Sequence, residues 1–438
     1  MHMDFKIEHL GECTFPSPLL ELFFSKETAF ESNETRVLYN TIFNSNTRFD
    51  GDRREQSFEV AGPREMIYFK PEKARPAIVS CGGICPGIND VIRSIVMESY
   101  YHYKTEKIIG IPYGYNGLNP ANGYPFVDLY PDGVKNIHMM GGTILGASRG
   151  GTDDMDLLMD TLEKHGINIL YTIGGDGTLR GAHDFAELAA KRGVDLAVVG
   201  IPKTIDNDIS FIQRSFGFET AFSNSVNAIA AAHTEAQGAP NGIGLVKLMG
   251  RHSGFIAANA AIANNDVNFV LLPEVPFDLD GPNGFLLHLE QRLKKRGHAV
   301  ICVAEGAGQD ILQREGPKEY DASGNVRLAD IGVYLKDRIN GYFKQKDIEI
   351  NLKYIDPSYM IRSAPAVPDD SIYCAILGQH AVHAAMAGKT DLVIGQWNNM
   401  FTHVPIELAI SKRKQIDPYS RFYNSVIEAT GQPVSMKN

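Results

Sequence analysis

Two carboxylates stand two residues apart just after an apolar run. Asp206 and Asp208 lie in the segment 202–208 (Pro-Lys-Thr-Ile-Asp-Asn-Asp), which follows the apolar run at 196–201. In an extended segment both side chains project from one face, so one carboxylate can accept a proton from a substrate hydroxyl while the other serves a metal ion. An Asn- and Asp-rich turn that caps a helix gives a similar pattern. Such a turn needs neither the lysine nor the second acid, which favours a catalytic segment.

A glycine-rich pentapeptide offers a cradle for phosphate. Residues 174–178 (Gly-Gly-Asp-Gly-Thr) separate a strand-like run from a helical pattern. Glycine lets the backbone approach a ligand closely, and the free N–H groups of a helix N-terminus attract anions. The one acid, Asp176, would repel phosphate unless a metal ion lies between them, so we interpret it as a Mg²⁺ contact, direct or through water. A plain turn between a strand and a helix is the alternative for this segment taken alone.

Two arginines follow segments of small residues. Arg149 ends the segment 141–149 (Gly-Gly-Thr-Ile-Leu-Gly-Ala-Ser-Arg), and Arg251 follows Met249 and Gly250. Two guanidinium groups near a transferring phosphoryl group would stabilise its equatorial oxygens. A surface ion pair is the alternative for either arginine alone.

Two later features could hold a phosphorylated sugar. Residues 353–362 combine two cations with tyrosines, and Glu305 ends a buried-looking run, where its carboxylate could accept hydrogen bonds from hydroxyl groups. An interface turn is the alternative for the first feature, and a helix cap is the alternative for the second.

The elements that must position these residues repeat one rhythm: a short β-branched run, a glycine-rich turn and a helical pattern. This rhythm predicts an α/β fold with largely parallel sheets, and the continuous apolar runs indicate sheets covered on both faces. The polar segments follow strands, where open α/β sheets place their sites. We therefore expect two Rossmann-like three-layer lobes with the active site in a cleft between them. Strands are predicted at 76–80, 167–173, 196–201, 245–249, 267–272 and 299–304.

The first glycine-rich turn, at 81–87, is followed by a predicted helix. Apolar residues between 91 and 96 recur on one helical face. Asn89 or Asp90 is placed to cap its N-terminus.

Composition limits the class of protein. The chain has 438 residues, with 42 lysines and arginines against 52 aspartates and glutamates, a net charge of −10. This acidity argues against a nucleic-acid-binding surface over most of the protein, although not against a local basic pocket. The length exceeds the roughly 250–300 residues of a single core. Glycine accounts for 42 of the 438 residues, nearly one in ten, whereas its usual share is about 7%. This excess indicates tight turns or backbone that lies close to ligands.

The cysteines and apolar runs favour a reducing, cytoplasmic location. Five scattered cysteines are too few for a disulfide scaffold, and no apolar run reaches the ~18 residues of a membrane span. The N-terminus lacks the layout of a signal peptide. We expect neither a membrane nor a nucleic acid as partner. Residues 1–70 differ from the rest and are predicted to form an extension or partly ordered arm.

Seven segments, taken together and in order, resemble the phosphofructokinase family. The resemblance runs from about residue 75 to residue 400. The family transfers a phosphoryl group to O1 of fructose 6-phosphate and so gives fructose 1,6-bisphosphate. The segments are 82–89, 141–149, 174–178, 202–208, 216–220, 249–251 and 354–362.

The resemblance implies a role for each matched residue. Asp206 would be the general base for the sugar's 1-hydroxyl, and Asp176 and Asp208 would belong to the Mg²⁺ environment. The other implied catalytic residues are Thr204, Arg149, Arg251 and Lys203. The residues implied to line the phosphates of the donor, Mg-ATP, are Gly83, Gly175, Gly177, Thr178 and Arg149. Those implied to hold fructose 6-phosphate are Thr204, Asp206, Met249, Gly250, Arg251, Glu305, Lys353, Tyr359 and Arg362.

Lys353 matches a cation that the family often contributes from a neighbouring subunit. The resemblance therefore implies a homo-oligomer, a tetramer or a dimer, with shared active sites. It also implies a nucleotide-binding lobe at 71–217 and 361–415, a fructose 6-phosphate-binding lobe at 218–360 and 416–438, and an N-terminal extension at 1–70.

Three positions bear on the phosphoryl donor. Lys203 stands where short bacterial members carry Gly, and Tyr359 where they carry His, so the chain resembles the longer branch of the family. That branch contains both ATP-dependent and pyrophosphate-dependent enzymes. Pyrophosphate users carry Asp at the position of Gly177, where added bulk and charge would oppose ATP. Gly177 therefore predicts ATP, with pyrophosphate as the alternative.

Two more distant classes remain as alternatives. Lipid and NAD kinases carry a segment similar to 174–178, but that similarity leaves 202–208 and 354–362 unexplained. A non-catalytic regulatory subunit would be expected to have lost an Asp or Arg from the implied set, and none is missing.

Overall fold

The computed structural model describes residues 3–22, 29–42, 56–148, 154–312 and 326–438. In chain order the strands are β1 (Glu8–His9), β2 (Phe15–Pro16), β3 (Arg36–Leu38), β4 (Ser57–Val60), β5 (Met66–Ile67), β6 (Pro76–Ser80), β7 (Ile108–Ile111), β8 (Val127–Leu129), β9 (Ile169–Gly174), β10 (Ala197–Pro202), β11 (Gly242–Leu248), β12 (Phe269–Leu271), β13 (His298–Ala304), β14 (Asn351–Ile355), β15 (Lys389–Thr390), β16 (Leu392–Trp397) and β17 (Met400–Pro405).

The helices alternate with the strands over most of the chain. In chain order they are α1 (Ile88–Met97), α2 (Pro131–Val134), α3 (Met155–Lys164), α4 (Asp176–Arg192), α5 (Phe218–Gln237), α6 (Phe255–Asn264), α7 (Phe285–Arg296), α8 (Ile331–Gln345), α9 (Ser358–Arg362), α10 (Pro368–Met386), α11 (Ile406–Ile410) and α12 (Arg421–Thr430).

The first compact unit contains a nine-stranded sheet. This unit comprises Met1–Thr204, Ile209–Gly217 and Ala364–Arg413, and its strands follow the order β3-β4-β17-β16-β10-β9-β6-β7-β8. The five strands from β16 to β7 are parallel, whereas the pairings outside them are antiparallel. Every residue of β6, β9 and β10 is buried, so the centre of the sheet is covered on both faces, as the apolar runs predict.

The second compact unit is a three-layer α/β structure. It comprises Ile205–Asp208, Phe218–Ser363 and Lys414–Asn438, and its sheet has the order β12-β13-β11-β14 with all strands parallel. Val300 and Cys302 of β13 pack into one apolar core, while Ala299 and Ile301 pack into another. Successive strand residues point to opposite faces, so each face of this sheet has its own core. The predicted α/β fold with largely parallel sheets is confirmed.

The described parts of residues 1–70 are built into the first unit rather than standing apart as an arm. Strand β4 pairs with both β3 and β17, and Phe58 is completely buried. The buried Glu59 carboxylate pairs with Arg64 at 2.7 Å, Lys389 at 2.6 Å and His403 at 3.0 Å. Apolar packing and a buried charge cluster thus attach this segment to the sheet.

The predicted capping of α1 by Asn89 or Asp90 is wrong. The helix begins at Ile88, directly after Gly87, whose φ of 93° suits glycine because it has no Cβ. The Asn89 amide instead donates to the Met140 carbonyl oxygen at 3.1 Å and accepts from the Ile144 N–H at 2.9 Å. Asn89 therefore links α1 to a distant loop. Across the described residues, no helix has both the length and the apolar character that crossing a membrane requires.

Candidate active site

Three polar loops of the first unit leave neighbouring strands at the same edge of the sheet. Strands β6, β9 and β10 are adjacent and parallel, so their carboxyl ends lie together. The Lys203 N–H donates to the Gly174 carbonyl oxygen at 2.9 Å, and the Cys81 N–H donates to the Ile173 carbonyl oxygen at 3.0 Å. The segments predicted to line a phosphate are therefore neighbours in space.

The Lys203 side chain joins two of these loops. Its ammonium Nζ donates to the Gly83 carbonyl oxygen at 2.7 Å, and the residue is only 6% exposed. The Gly82 N–H in turn donates to the Ser148 carbonyl oxygen at 2.8 Å. Lys203 thus positions the glycine-rich loop after β6. The predicted residue Arg149 lies outside the described residues.

The segment 174–178 forms the sharp passage from β9 into α4. A Cβ added to Gly174 would lie 2.1 Å from Thr178 Oγ1, whereas a Cβ at Gly177 would meet nothing within 4 Å. Gly175 precedes the first helical residue, Asp176. The backbone N–H groups at this open helix start can bind an anion. Gly175, Gly177 and Thr178 therefore lie together at a place suited to phosphate.

Asp176 has a cationic neighbour one helical turn later. The Arg180 Nε lies 3.2 Å from Asp176 Oδ2, and the Arg180 guanidinium also donates to the Ile410 carbonyl oxygen at 3.0 Å. Among the residues that the structure describes, no group of three or more His, Cys, Asp or Glu side chains could hold a metal ion. A Mg²⁺ ion here would need further oxygen ligands from a bound molecule.

The Asp206 carboxyl, which belongs to the second unit, has a raised pKa. Burial raises its pKa to about 7, and the nearby charges of Asp208 and Glu305 add to this rise. Its Oδ2 accepts a hydrogen bond from the Arg251 backbone N–H at 3.2 Å, and its carbonyl oxygen accepts one from Ser253 Oγ at 3.2 Å. A base that titrates near neutral pH is well matched to proton transfer from a hydroxyl group.

The loops after β11 and β13 bring four further predicted residues together. The Glu305 N–H donates to the Leu248 carbonyl oxygen at 2.9 Å, and the Gly306 N–H donates to the Gly250 carbonyl oxygen at 3.0 Å. Arg362 Nε contacts the sulfur of the buried Met249 at 3.3 Å. Met249, Gly250, Glu305 and Arg362 therefore form one polar edge of the second sheet.

Other predicted residues are placed differently. The Arg251 guanidinium donates to the Val326 carbonyl oxygen, and Tyr359 on α9 is 85% exposed. Lys353 is exposed on β14, which lies at one edge of its sheet. Thr204 ends the first stretch of the first unit, where its carbonyl oxygen accepts a hydrogen bond from Ser215 Oγ at 2.6 Å.

One residue beside the carboxylates escaped the reasoning from sequence. Lys414 Nζ donates to Asn207 Oδ1 at 2.9 Å, although the two residues are 207 positions apart. Lys414 ends the basic run 412–414, which looks like an ordinary charged surface. Nothing in its local sequence indicates the contact.

Comparison with known proteins agrees with this architecture. Residues 75–385 match the Phosphofructokinase family, so the chain belongs to the phosphofructokinase family. It is 51% identical to the ATP-dependent 6-phosphofructokinase of Borreliella burgdorferi, over 100% of this chain and 98% of that protein. It is 45% identical to the ATP-dependent 6-phosphofructokinase of Amycolatopsis methanolica, over 99% of this chain and 96% of that protein.

Solved structures share the fold at low sequence identity. The pyrophosphate-dependent phosphofructokinase of Marinobacter aquaeolei superposes with a TM-score of 0.66 and is 18% identical, covering 82% of this chain and 92% of its own. The phosphofructokinase of Saccharomyces cerevisiae gives a TM-score of 0.61 at 23% identity, covering 82% of this chain and 48% of its own. These likenesses concern the fold.

Proposed function

We propose that this chain is an ATP-dependent 6-phosphofructokinase. It would transfer the γ-phosphoryl group of Mg-ATP to O1 of fructose 6-phosphate, giving fructose 1,6-bisphosphate and ADP, a step of glycolysis. The environment of Asp206 carries this proposal, because a carboxylate that titrates near pH 7 suits removal of a hydroxyl proton. The names of the Borreliella and Amycolatopsis relatives support it.

In this mechanism Asp206 acts on the sugar. Its carboxylate accepts the proton of the 1-hydroxyl as the oxygen attacks the γ-phosphorus, and the bond from that phosphorus to the β–γ bridging oxygen breaks. The hydrogen bond from the Arg251 N–H to Oδ2 fixes one oxygen of this carboxylate. Placement of this kind typically contributes about 10²–10⁴-fold to rate.

The loops of the first unit are proposed to hold the donor. The N–H groups around Gly83, Gly175 and Gly177 and the Thr178 hydroxyl would bind its phosphates. Lys203 would keep the Gly83 loop in place through the 2.7 Å hydrogen bond described above. Thr204, Arg149 and Arg251 are proposed to surround the transferring phosphoryl group, where positive charge and hydrogen-bond donors stabilise its oxygens.

Mg²⁺ is proposed to enter with the nucleotide. Asp176 at the start of α4 fits it, since a carboxylate beside an open phosphate cradle is the ligand type that Mg²⁺ prefers. Asp208 is the second carboxylate proposed for the Mg²⁺ environment. When bound, the ion neutralises phosphate charge.

Six residues are proposed to bind the phosphorylated sugar from the second unit. These are Met249, Gly250, Arg251, Glu305, Tyr359 and Arg362. Lys353 would reach the sugar phosphate of a neighbouring subunit, which agrees with its exposure on β14. We accordingly infer a homo-oligomer, a dimer or a tetramer, with shared sites.

The shared site has a direct test. Co-expression of Asp206→Ala and Lys353→Ala subunits, each inactive alone, should restore part of the activity, because some hybrid sites then carry neither change. Absence of recovery in hybrids shown to form would contradict the sharing.

ATP is favoured over pyrophosphate as donor by the open space at Gly177, since a larger acidic residue there would oppose the nucleotide. A lipid or NAD kinase would leave the segments 202–208 and 354–362 unexplained. A cytoplasmic location is also proposed, because all five cysteines are thiols, as in reducing compartments.

The decisive experiment compares donors at fixed fructose 6-phosphate. Purified protein with Mg-ATP should form fructose 1,6-bisphosphate, detected by coupling to aldolase, and pyrophosphate should not replace ATP. Asp206→Asn should lower kcat by about 10²–10⁴-fold, while the exposed Asp128→Asn on β8 should not. Turnover with pyrophosphate alone would select the alternative donor, and an undiminished rate in Asp206→Asn would remove the base assignment.

A further inference from the structure

Lys414 holds two consecutive residues of the carboxylate segment Ile205–Asp208. Its backbone N–H donates to the Asp208 carbonyl oxygen at 2.8 Å, and its Nζ donates to Asn207 Oδ1 at 2.9 Å. Both stretches belong to the second unit. One residue from the C-terminal stretch thus fixes both the backbone and a side chain of this segment.

The turn at Asn207, to which Lys414 is hydrogen-bonded, has an unfavourable backbone conformation. Asn207 has a φ of 56°, in the left-handed region that costs most residues with a Cβ roughly 1–2 kcal/mol and that asparagine tolerates better. The residue is only 6% exposed. Such a conformation persists when its surroundings fix it. Because Asn207 lies between Asp206 and Asp208, its turn determines the direction of both carboxylates.

If the side chain at position 414 served packing alone, a buried amine would stabilise the protein less than an apolar group. The ammonium lies 5.4 Å from the centre of the Phe255 ring, and burial lowers the pKa of Lys414 to about 7, against the opposing influence of Asp208. A well-packed apolar residue usually stabilises such a place at least as well as a desolvated charge. The hydrogen bond to Asn207 is therefore a contribution that an apolar residue would lose.

We propose that Lys414 is a positioning residue that holds the Asn207 turn so that the Asp206 carboxylate stays directed at the sugar hydroxyl. This inference rests on the proposed function. Lys414 itself touches no reacting atom and acts through Asn207. The Arg251 N–H donates to the Asp206 carboxylate and Ser253 Oγ donates to the Asp206 carbonyl oxygen. Asp206 therefore has direct contacts of its own besides those of the neighbouring Asn207.

The test is Lys414→Met, with Lys412→Met as matched control. Lys412 is exposed and lies over the Phe211 ring in the first unit. Lys414→Met should lower kcat by about 10²-fold, as small misplacements of catalytic groups do. The KM for ATP should stay within about 3-fold. The Tm should fall by only a few degrees, because the lost hydrogen bond to Asn207 is partly offset by removal of a desolvated charge. Lys412→Met should leave all three unchanged.

Two further measurements distinguish positioning from folding and from function. Asn207→Gly keeps the positive φ but removes the acceptor, so its kcat loss and that of Lys414→Met should not add in the double variant. In hydrogen exchange, the Arg251 amide, which is bonded to Asp206, should exchange faster in Lys414→Met whether or not the protein turns over sugar.

The outcomes are separable. A wild-type kcat in Lys414→Met, additive losses, unchanged Arg251 exchange, or a kcat loss that merely follows a fall in Tm would each overturn the positioning role. An inactive wild type with faster Arg251 exchange in the variant would instead overturn the proposed function and leave the positioning of Asp206 standing.

Discussion

The Lys203 ammonium donates a 2.7 Å hydrogen bond to the carbonyl oxygen of Gly83, a residue 120 positions earlier in the chain. The loop after β6 is therefore held by a side chain at the end of β10, two strands away in the sheet. Lys203 would therefore position this loop in addition to any direct contact with phosphate, because its hydrogen bond to Gly83 orients the backbone that would face the ligand.

Lys203→Met should weaken the use of ATP more than the binding of the sugar. Loss of the Gly83 contact loosens the loop after β6, so kcat/KM for ATP should fall by roughly 10–100-fold, the range for residues that orient ligand-binding groups. Steady-state kinetics with both substrates varied measures this. Lys191→Met, exposed on α4, serves as control. An equal rise in KM for both substrates would argue against a donor-specific role.

Gly177→Asp should spare the fold and weaken ATP binding. A side chain at position 177 meets no neighbouring atom within 4 Å, and an acid in the first turn of α4 interacts favourably with the helix dipole. The Tm should therefore stay constant while calorimetric titration with Mg-ATP shows a loss of affinity of at least about 10-fold, which is 1.4 kcal/mol. Gly341→Asp, which also meets no neighbour, carries the same charge change away from the loop. An unchanged affinity for ATP in Gly177→Asp would contradict the inference that Gly177 favours ATP as the phosphoryl donor.

The rate should rise with pH through neutrality. Asp206 must be ionised to accept a proton and its pKa is raised to about 7, so kcat/KM for the sugar should fall about tenfold per pH unit below that value. Asp208→Asn removes a neighbouring negative charge and should shift this limb toward lower pH. The measurement is a pH profile of kcat/KM between pH 5 and 9. A profile flat across pH 6–8 would contradict the assignment.

Glu59→Gln should destabilise the first unit. It leaves Arg64 and Lys389 without their buried partner, and breaking such a pair typically costs about 3–5 kcal/mol. Denaturant unfolding measures the loss, with the exposed Glu65→Gln as control. A change in the free energy of unfolding of less than about 0.5 kcal/mol, as is usual for surface substitutions, would contradict a stabilising role for the cluster.

The same cluster predicts acid sensitivity. Burial lowers the pKa of His403 to about 4 although Glu59 opposes this, so protons bind the unfolded chain more tightly and stability should decline as the pH falls below about 6.5. Burial alone would raise the pKa of Glu59, but His403 and Lys389 hold it well below its usual range. Its contribution should be lost below about pH 4.5. Unfolding curves measured stepwise from pH 7 to pH 3 would show both declines, and their absence would contradict the buried charges.

Local sequence predicted the centres of both sheets well. The run at 76–80 became β6 (Pro76–Ser80) because strands buried on both faces need continuous apolar residues. The segments 174–178 and 202–208 could also be singled out, since the residues that suggest their chemistry are consecutive in the sequence.

Contacts between distant residues could not be read in this way. Asn89 looked like a helix cap, but its partners Met140 and Ile144 lie 51 and 55 positions further along the chain. Lys414 looked like one charge in a basic run, and its partner Asn207 is 207 positions away. Each contact depends on the tertiary fold, which brings distant segments together, and a local sequence pattern does not specify it.

The second unit is assembled from three separate stretches, and the last begins at Lys414. During synthesis the chain emerges from its N-terminus, and domains generally fold as units. All stretches of the first unit have been made once Arg413 is added, whereas Asp206 still lacks the residue that grips its turn. A ribosome therefore adds the loops proposed to bind phosphate before it adds Lys414, which contacts the segment that holds the proposed general base.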